Sequence, residues 1–210
     1  KDAPKRIGIP AVLGLEQPLI AKQRLDSELG IELFEIPILP PSVPGMRLFN
    51  ILRDDFQNHG GQLILGPVVN GRIENGRAIA AADANGRVKE YAAETVILAS
   101  GGFLNGGLIG EFDGLVRETV FNLDVDSRSG LLPHTPRQSW TSEIFLDAHA
   151  FSKFGVRVDT GLCPLDANGE PAAANLRAIG GLLAGADRLS EESRDGIALA
   201  TAYRAIELIQ

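Results

Sequence analysis

Apolar and polar positions alternate in the segment LFEIPIL near the start of the chain. Phe34, Ile36 and Ile38 alternate with Glu35 and Pro37, which is the period of a half-buried strand with its apolar side chains on the covered face. Because proline cannot donate to a sheet ladder, we expect this strand at a sheet edge. A weak strand and a moderate helix stopped by Gly30 are predicted before it, over residues 6–12 and 21–29.

A helical period follows a stiff loop. The loop, PPSVPG at residues 40–45, holds three prolines, which fix extended or turn backbone. Apolar residues then recur at spacings of three and four until His59 and the pair Gly60-Gly61, which predicts a helix of about 14 residues. Its apolar stripe must face a sheet or another helix. The stripe consists of Met46, Phe49, Leu52 and Phe56.

Four short segments after this helix predict an antiparallel meander. Gly66 and two Asn-Gly pairs, at residues 75–76 and 85–86, separate them. Both residue types tolerate the positive φ that tight hairpin turns require, so each pair predicts a hairpin. The predicted segments are residues 62–65, 68–74, 77–82 and 88–92.

The second half of the chain holds two apolar strands that each end in a glycine pair. Residues 94–102, ETVILASGG, show no alternation, so we expect a strand buried on both faces of a parallel or mixed sheet. Residues 175–181, NLRAIGG, form the second strand. A helix over residues 196–209 follows, and the residues that share one of its faces are Ile197, Thr201, Arg204, Ala205 and Leu208.

The region between these strands is less regular. Residues 103–160 hold most of the aromatic side chains, and we interpret them as a separate inserted lobe with one helix, over residues 141–154. The predicted class is α/β with α+β elements. The predicted segments are 1–45, a substrate-side linking segment; 46–102, helix, meander and strand; 103–174, the inserted lobe; and 175–210, the last strand and helix.

The glycine-ended strands are the clearest functional feature. Ligands of open α/β sheets bind beyond the carboxyl ends of the strands, and glycine there lets the backbone approach a flat ring or a pyrophosphate. The start of the last helix, near Asp195, offers free N–H groups to a phosphate or an electron-rich carbonyl. Turns and tight packing are the alternative explanation of the glycines. A G-x-G-x-x-G fingerprint, which would hold the adenosine half of a dinucleotide, is absent.

Composition narrows the function classes. The 210 residues include 20 basic and 27 acidic side chains, a net charge of −7, so nucleic-acid binding is not expected. The single cysteine, Cys163, allows no internal disulfide. It is either a small buried apolar residue or a reactive thiol. Apolar runs of membrane-spanning length, metal-binding motifs and a G-x-S-x-G element are also absent.

Four segments together resemble the B subunits of three-subunit anaerobic glycerol-3-phosphate dehydrogenases. They are FEIPILPPSVPGMRL (34–48), ETVILASGGFLNGGL (94–108), VRETVFNLDV (116–125) and NLRAIGGLLAGAD (175–187). The proline-rich element is the most specific to those B subunits. The two glycine-ended elements also occur among two-domain FAD-dependent oxidoreductases of the fumarate reductase type.

The resemblance implies an incomplete FAD-binding Rossmann-like domain with a meander and an inserted substrate-side lobe. It implies that the family's glycine-rich fingerprint precedes residue 1, so we expect the chain to correspond to a C-terminal portion. The full-length subunit is expected to hold a flavin, FAD or FMN, whereas this portion by itself is expected to bind none and to be inactive. It further implies oxidation of glycerol 3-phosphate together with the catalytic A subunit. The iron-sulfur C subunit would pass electrons to a quinone, and the cytoplasmic complex would attach to the inner membrane through its partners without direct insertion.

The resemblance also assigns cofactor-contacting positions in three elements: the end of the first glycine-ended strand, the C-terminal cofactor loop, and the start of the last helix. In that order the matched residues are Ala99, Ser100, Gly101 and Gly102; Gly180, Gly181 and Asp187; and Gly196 and Ile197.

One departure from the family bears on these positions. Relatives carry a glycine-rich turn before the last helix, whereas this chain has Glu191, Glu192 and Asp195 there, with Arg194 to offset one charge. Carboxylates at a helix N-terminus disfavour a bound phosphate. A non-catalytic scaffold or electron-transfer protein with a degenerate flavin site is therefore the alternative function.

Candidate groups for alcohol oxidation are few, and no catalytic base is assigned. Arg47 and Arg117 are candidates for binding an anionic substrate, with surface ion pairing as the alternative. His59 fits best as a helix cap. His134 and His149 fall in the irregular lobe, where packing or surface roles compete with catalysis.

Overall fold

The computed structural model describes residues 5–39, 41–66, 68–127, 136–144, 147–187, 191 and 193–209. Within it the chain forms two compact units, Lys1–Leu65 and Gly66–Gln210. His134 and Glu192, named above as candidate residues, lie outside the described residues.

The first unit has the order strand, helix, strand, helix. Strand β1 (Arg6–Pro10) and strand β2 (Glu32–Ile36) are parallel, and helix α1 (Pro18–Leu29) connects them. Helix α2 (Val43–Asn58) begins at Ser42, whose hydroxyl accepts the Gly45 N–H, and His59 follows its last residue. Both predicted helices are confirmed. Each begins about three residues earlier than predicted, because a proline is favourable in the first turn of a helix.

The covered face of β2 is opposite to the predicted one. Leu33 is 3% exposed, whereas Phe34 and Ile36 are 45% and 48% exposed. The backbone of Leu33 is tied to α1, because its N–H donates to the Asp26 carboxylate at 2.7 Å. The other inward residue, Glu35, pairs with Arg47 of α2. The apolar stripe of α2 also has no buried member within the first unit.

The second unit opens with the predicted meander of strands β3 (Val68–Glu74), β4 (Arg77–Ala84) and β5 (Arg87–Ala92). Both Asn-Gly pairs have positive φ, 51° and 71° at the first turn and 56° and 78° at the second, which confirms the hairpins. The strand predicted over residues 62–65 is wrong. In the described part of the chain these residues pair with no strand, so their apolar side chains do not belong to a β-sheet.

Three small strand pairs complete the second unit around one apolar core. Strand β6 (Val96–Leu98) runs parallel to β11 (Leu176–Ala178); β7 (Leu108–Gly110) pairs with β8 (Val116–Glu118), and β9 (Val125–Ser127) with β10 (Phe154–Val156). Helix α3 (Arg194–Glu207) closes the unit. Residues of the predicted lobe share this core with the glycine-ended strands; the core includes Leu98, Phe121, Trp140, Phe154, Leu176 and Leu182.

Two further predictions about the second unit need correction. Strand β6 is not buried on both faces, because β11 is its only described neighbour and Ile97 is 38% exposed. The sequence predicts a helix over residues 141–154, but the described residues of this range, 141–144 and 147–154, contain no α-helix; a short 3-10 turn at Ala150–Lys153 runs directly into β10. Local bonds compete with the helix, since the Ser142 hydroxyl accepts the Ile144 N–H and His149 accepts the Ser142 N–H.

The mixture of parallel pairs, antiparallel pairs and helices confirms the α/β class with α+β elements. Among the described residues, no helix combines the length and the apolar character that a membrane span requires.

Candidate functional site

The two glycine-ended strands lie side by side and end at the same edge. Because β6 and β11 are parallel and paired from Val96 and Leu176 onward, their carboxyl ends coincide. The last bond between them joins the Ile179 N–H to the Leu98 carbonyl at 3.0 Å. Beyond this bond the two backbones diverge around a cleft of about 460 Å³, whose lining residues are Ala99, Ser100, Gly101, Asn105, Ile179, Gly180, Gly181, Asp195 and Ala198.

Glycine is required on both sides of the cleft. Gly101 has φ of +79° and Gly180 has φ of +67°, a backbone region that residues with a Cβ rarely adopt. A Cβ on Gly101 would also lie 2.7 Å from the Asn105 Cβ. The two turns therefore present bare backbone to the cleft.

An unsatisfied hydroxyl lies in the cleft wall. The Ser100 Oγ is buried and has no hydrogen-bond partner among the described residues. Buried polar atoms in folded proteins are almost always paired, so an unpaired hydroxyl in a residue that lines a cleft is a candidate hydrogen-bonding partner for a ligand.

The N-terminal turn of α3 forms the third side of the cleft. Asp195 and Ala198 line it, and the N-cap residue Ser193 makes no side-chain capping bond. Asp195 thus belongs to the first turn of α3, the end of the helix that carries free N–H groups. Glu191 is exposed and accepts a bond from the Ser193 hydroxyl.

The comparisons with known proteins decide the family. Residues 2–193 of the chain match the family described as FAD binding domain. The chain belongs to the FAD binding domain family. Proteins of this family bind a flavin, and the cleft lies where the matched strand ends predict a cofactor.

The chain is also similar to several curated relatives, all named as B subunits of anaerobic glycerol-3-phosphate dehydrogenase. It is 35% identical over 95% of its length to the probable B subunit of Halobacterium salinarum, of which it covers 46%. Identity is 33% to the B subunit of Vibrio vulnificus and 35% to that of Yersinia pseudotuberculosis, over 95% and 96% of the chain and 44% and 45% of those proteins. The chain thus spans less than half the length of these relatives. No solved structure shows significant similarity to it.

The cleft fits the ring system of FAD better than its phosphates. A flat ring suits two glycine turns without side chains and one unpaired hydroxyl, at Gly101, Gly180 and Ser100. The Asp195 carboxylate, in contrast, opposes a phosphate at the start of α3. In this member of the FAD binding domain family, the described cleft is therefore suited to the flavin end of the cofactor.

Not all of the residues predicted to contact the cofactor line this cleft. Gly102 is buried behind it, and its carbonyl accepts the N–H groups of Asn105 and Gly107. Gly196 and Ile197 belong to the first turn of α3 but not to the lining.

Asp187 is buried and does not line the cleft. Its carboxylate accepts a 3.1 Å bond from the Ser152 hydroxyl and lies 3.4 Å from the Lys153 ammonium. These contacts tie the C-terminal cofactor loop to the 3-10 turn at Ala150–Lys153. A cofactor contact of Asp187 remains a prediction.

The two predicted substrate arginines are committed to carboxylates. Arg47 binds Glu35 through both terminal nitrogens and donates its Nε to the Gly14 carbonyl at 2.7 Å. This pairing raises the pKa of Arg47, and the hydrogen bonds from Arg47 lower the pKa of Glu35 despite its partial burial. Arg117 pairs with Glu111 at the surface of the second unit. An anionic substrate would have to displace these carboxylates.

The remaining reactive side chains have structural contacts. His59 is the C-cap of α2, as predicted, with its Nδ1 2.8 Å from the Asp55 carbonyl. His149 accepts the Ser142 N–H at Nδ1. Cys163 is half-buried, which raises the pKa of its thiol, and the Arg177 guanidinium contacts its sulfur at 2.9 Å. Among the described residues, no group of three or more His, Cys, Asp or Glu could hold a metal ion.

Sequence reasoning missed several residues of the cleft. Asn105, Ile179 and Ala198 line it, and Thr201 contacts Gly180 from α3. The position of Asn105 four residues after Gly101 is a usable signal, because a short turn returns the chain to the same strand end. The contact between Thr201 and Gly180 has no such signal, since 21 residues separate them.

Proposed function

We propose that this chain forms part of a flavin-dependent dehydrogenase that oxidises glycerol 3-phosphate to dihydroxyacetone phosphate. Similarity to proteins named as the B subunit of anaerobic glycerol-3-phosphate dehydrogenase supports the substrate. Membership of the FAD binding domain family supports the cofactor. The observation that carries the proposal is the cleft, which is lined by Ser100, with its unpaired buried hydroxyl, and by the two left-handed glycine turns at Gly101 and Gly180.

FAD, when bound, would accept the hydride that leaves the alcohol carbon of the substrate, and a general base, which is not assigned to a residue, would take the hydroxyl proton. The residues of this chain would hold the ring end. Ser100 would supply one hydrogen bond to a polar ring atom, and the backbone at Gly101 and Gly180 would admit the ring where side chains would exclude it. The packed core behind β6 and β11 would keep this wall rigid.

The proposed electron path leads away from this chain. Electrons would pass through an iron-sulfur partner, the C subunit, to a membrane quinone, while the A subunit completes the catalytic unit. The complex would lie in the cytoplasm against the inner membrane. The names of the relatives, which designate one component of a larger enzyme, support the existence of partner subunits.

A non-catalytic scaffold is the second candidate function, and Asp195 favours it. Its carboxylate lines the cleft at the helix end where a phosphate or an electron-rich group would otherwise be favoured. In that case this protein keeps the fold while the chemistry occurs in the A subunit.

The two functions differ in where substrate-dependent flavin reduction takes place. The experiment uses a subunit-length protein, meaning a protein of the relatives' length that contains this chain, assembled with its partners without oxygen. Glycerol 3-phosphate should bleach the visible flavin band, and glycerol, which lacks the phosphate, should not. With Ser100→Ala in this chain, the bleaching should fall in proportion to the lost flavin. Bleaching unchanged by that substitution would favour the scaffold.

A further inference from the structure

The N–H of Gly180 turns away from the strand pair and binds a side chain of α3. Its neighbour Ile179 makes the last ladder bond, to Leu98, whereas the Gly180 N–H donates to the Thr201 hydroxyl at 2.9 Å. This bond crosses from the end of β11 to the second turn of the helix. It therefore joins two of the three sides of the cleft.

The direction of hydrogen bonding at Thr201 is fixed by its second partner. A hydroxyl has one hydrogen, and Thr201 donates it to the Ile197 carbonyl at 2.7 Å. The oxygen lone pairs are then left to accept the Gly180 N–H. Threonine in a helix has two accessible rotamers, and the bond to the Ile197 carbonyl selects one of them, so this acceptor is held in one place.

Packing beneath the bond leaves little freedom for another arrangement. Ala205, one turn further along α3, is fully buried against Leu162 and Ile179. At the cleft itself, the Cβ of Ala198 lies 3.9 Å from the point where a Cβ on Gly180 would be. The hydrogen bond from the Gly180 N–H to the Thr201 hydroxyl therefore fixes the position of the start of α3, including Asp195, relative to the turn at Gly180.

We infer that Thr201 is a positioning residue for flavin binding, acting through Gly180 and the start of α3. Without its hydroxyl the Gly180 N–H loses its acceptor, and the turn is free to rotate into the space that the flavin ring needs. The inference rests on the proposed flavin site. It assigns a role to a residue that does not line the cleft.

The test compares Thr201→Val, which keeps the shape of the side chain, with Thr201→Ser, which keeps the hydroxyl. Thr160→Val, at an exposed turn, controls for the loss of a threonine hydroxyl elsewhere. In the subunit-length protein, Thr201→Val should weaken flavin binding about tenfold, the order expected for one buried hydrogen bond left unsatisfied. The visible flavin band should also shift. Thr201→Ser should restore both properties, and Thr160→Val should change neither.

Amide hydrogen exchange at Gly180 gives a second readout that needs no flavin. Thr201→Val should lower the protection of this amide, and Thr201→Ser should retain it. Unchanged flavin affinity and unchanged exchange in Thr201→Val would overturn the inference while leaving the proposed flavin site intact. A wild-type protein that binds no flavin would overturn both, and the exchange result would then report only the hydrogen bond.

Discussion

The Gly101 carbonyl oxygen lies 2.0 Å from the point that a Cβ atom on Gly107 would occupy. This contact is possible only because Gly107 has no side chain, and it folds the loop after β6 back onto the cleft. The Gly107 N–H donates to the Gly102 carbonyl at 3.1 Å, and the Gly107 carbonyl accepts the Thr119 N–H. The glycine pair at 106–107 thus holds the backbone of the glycine pair at 101–102 in position.

Gly107→Ala should therefore disrupt the loop that follows β6. The new methyl group would meet backbone atoms that cannot move aside, so we expect the free energy of unfolding to fall by about 3 kcal/mol. Gly106→Ala is the matched control: φ is +80° there but the space is open, so strain alone should cost about 1 kcal/mol. Denaturant unfolding of the subunit-length protein measures both values. Equal losses for the two substitutions would contradict the close contact.

Asn175 connects the meander to β11 through a buried side chain. Its Oδ1 accepts the Ala78 N–H at 2.7 Å, and its Nδ2 donates to the carbonyls of Ala78 and Ala93 at 3.1 Å. Asn175→Ala should lower the free energy of unfolding by about 2–4 kcal/mol, since it leaves buried backbone groups unpaired. Asn70→Ala, at an exposed position of β3, should change it by less than about 0.5 kcal/mol. A similarly small loss for Asn175→Ala and Asn70→Ala would show that the hydrogen bonds of Asn175 contribute nothing to stability.

Local signals in the sequence were sufficient for some elements and insufficient for others. The hairpins follow from two Asn-Gly pairs, because the positive φ of such a turn depends on the residues at the turn itself. The covered face of β2 does not follow from alternation. A period of two leaves both faces possible, and the face that is covered is the one that carries the buried Leu33 and the Glu35 paired with Arg47.

The residues of the candidate site likewise divide into those that local sequence predicts and those that depend on distant contacts. The glycine-ended strands were predictable because each is a continuous segment, and their pairing places them at one edge. The positions of Asp187 and Arg117 were not, since each depends on a partner from another part of the fold. For Asp187 the partner Ser152 is 35 residues away.

The ion pair of Glu35 with Arg47 should make stability depend on pH. The hydrogen bonds from Arg47 lower the pKa of Glu35 in the folded state, so the pair stabilises the protein above the ordinary glutamate pKa of about 4.3 and this contribution is lost as pH falls below it. Melting temperatures at a series of pH values should show wild type above Glu35→Gln near neutral pH.

That difference should shrink as the solution is acidified through the lowered pKa. Glu32→Gln removes the more exposed pair with Arg6 and should give a smaller difference, because solvent and salt screen it. A constant difference between wild type and Glu35→Gln from neutral to acidic pH would contradict the assigned role of the pair.

Asp195 should weaken flavin binding through its charge. Asp195→Asn removes a carboxylate from the cleft while keeping the side-chain shape, so we expect flavin to bind several-fold more tightly. Glu191→Gln is the control, because Glu191 is exposed and does not line the cleft. Titration of the apo subunit-length protein with FAD, at low and at high salt, measures the difference. An unchanged or weaker affinity for Asp195→Asn would remove the argument for a degenerate site.

The flavin content of the isolated subunit-length protein, read from its visible absorption, tests the flavin cleft most directly. The cleft predicts flavin in an equimolar ratio for wild type and a clear reduction for Ser100→Ala. That substitution should not destabilise the apoprotein, because it removes a buried hydroxyl that has no partner among the described residues. A colourless wild-type protein, or full flavin content in Ser100→Ala at limiting FAD, would contradict the assignment of this cleft to the cofactor.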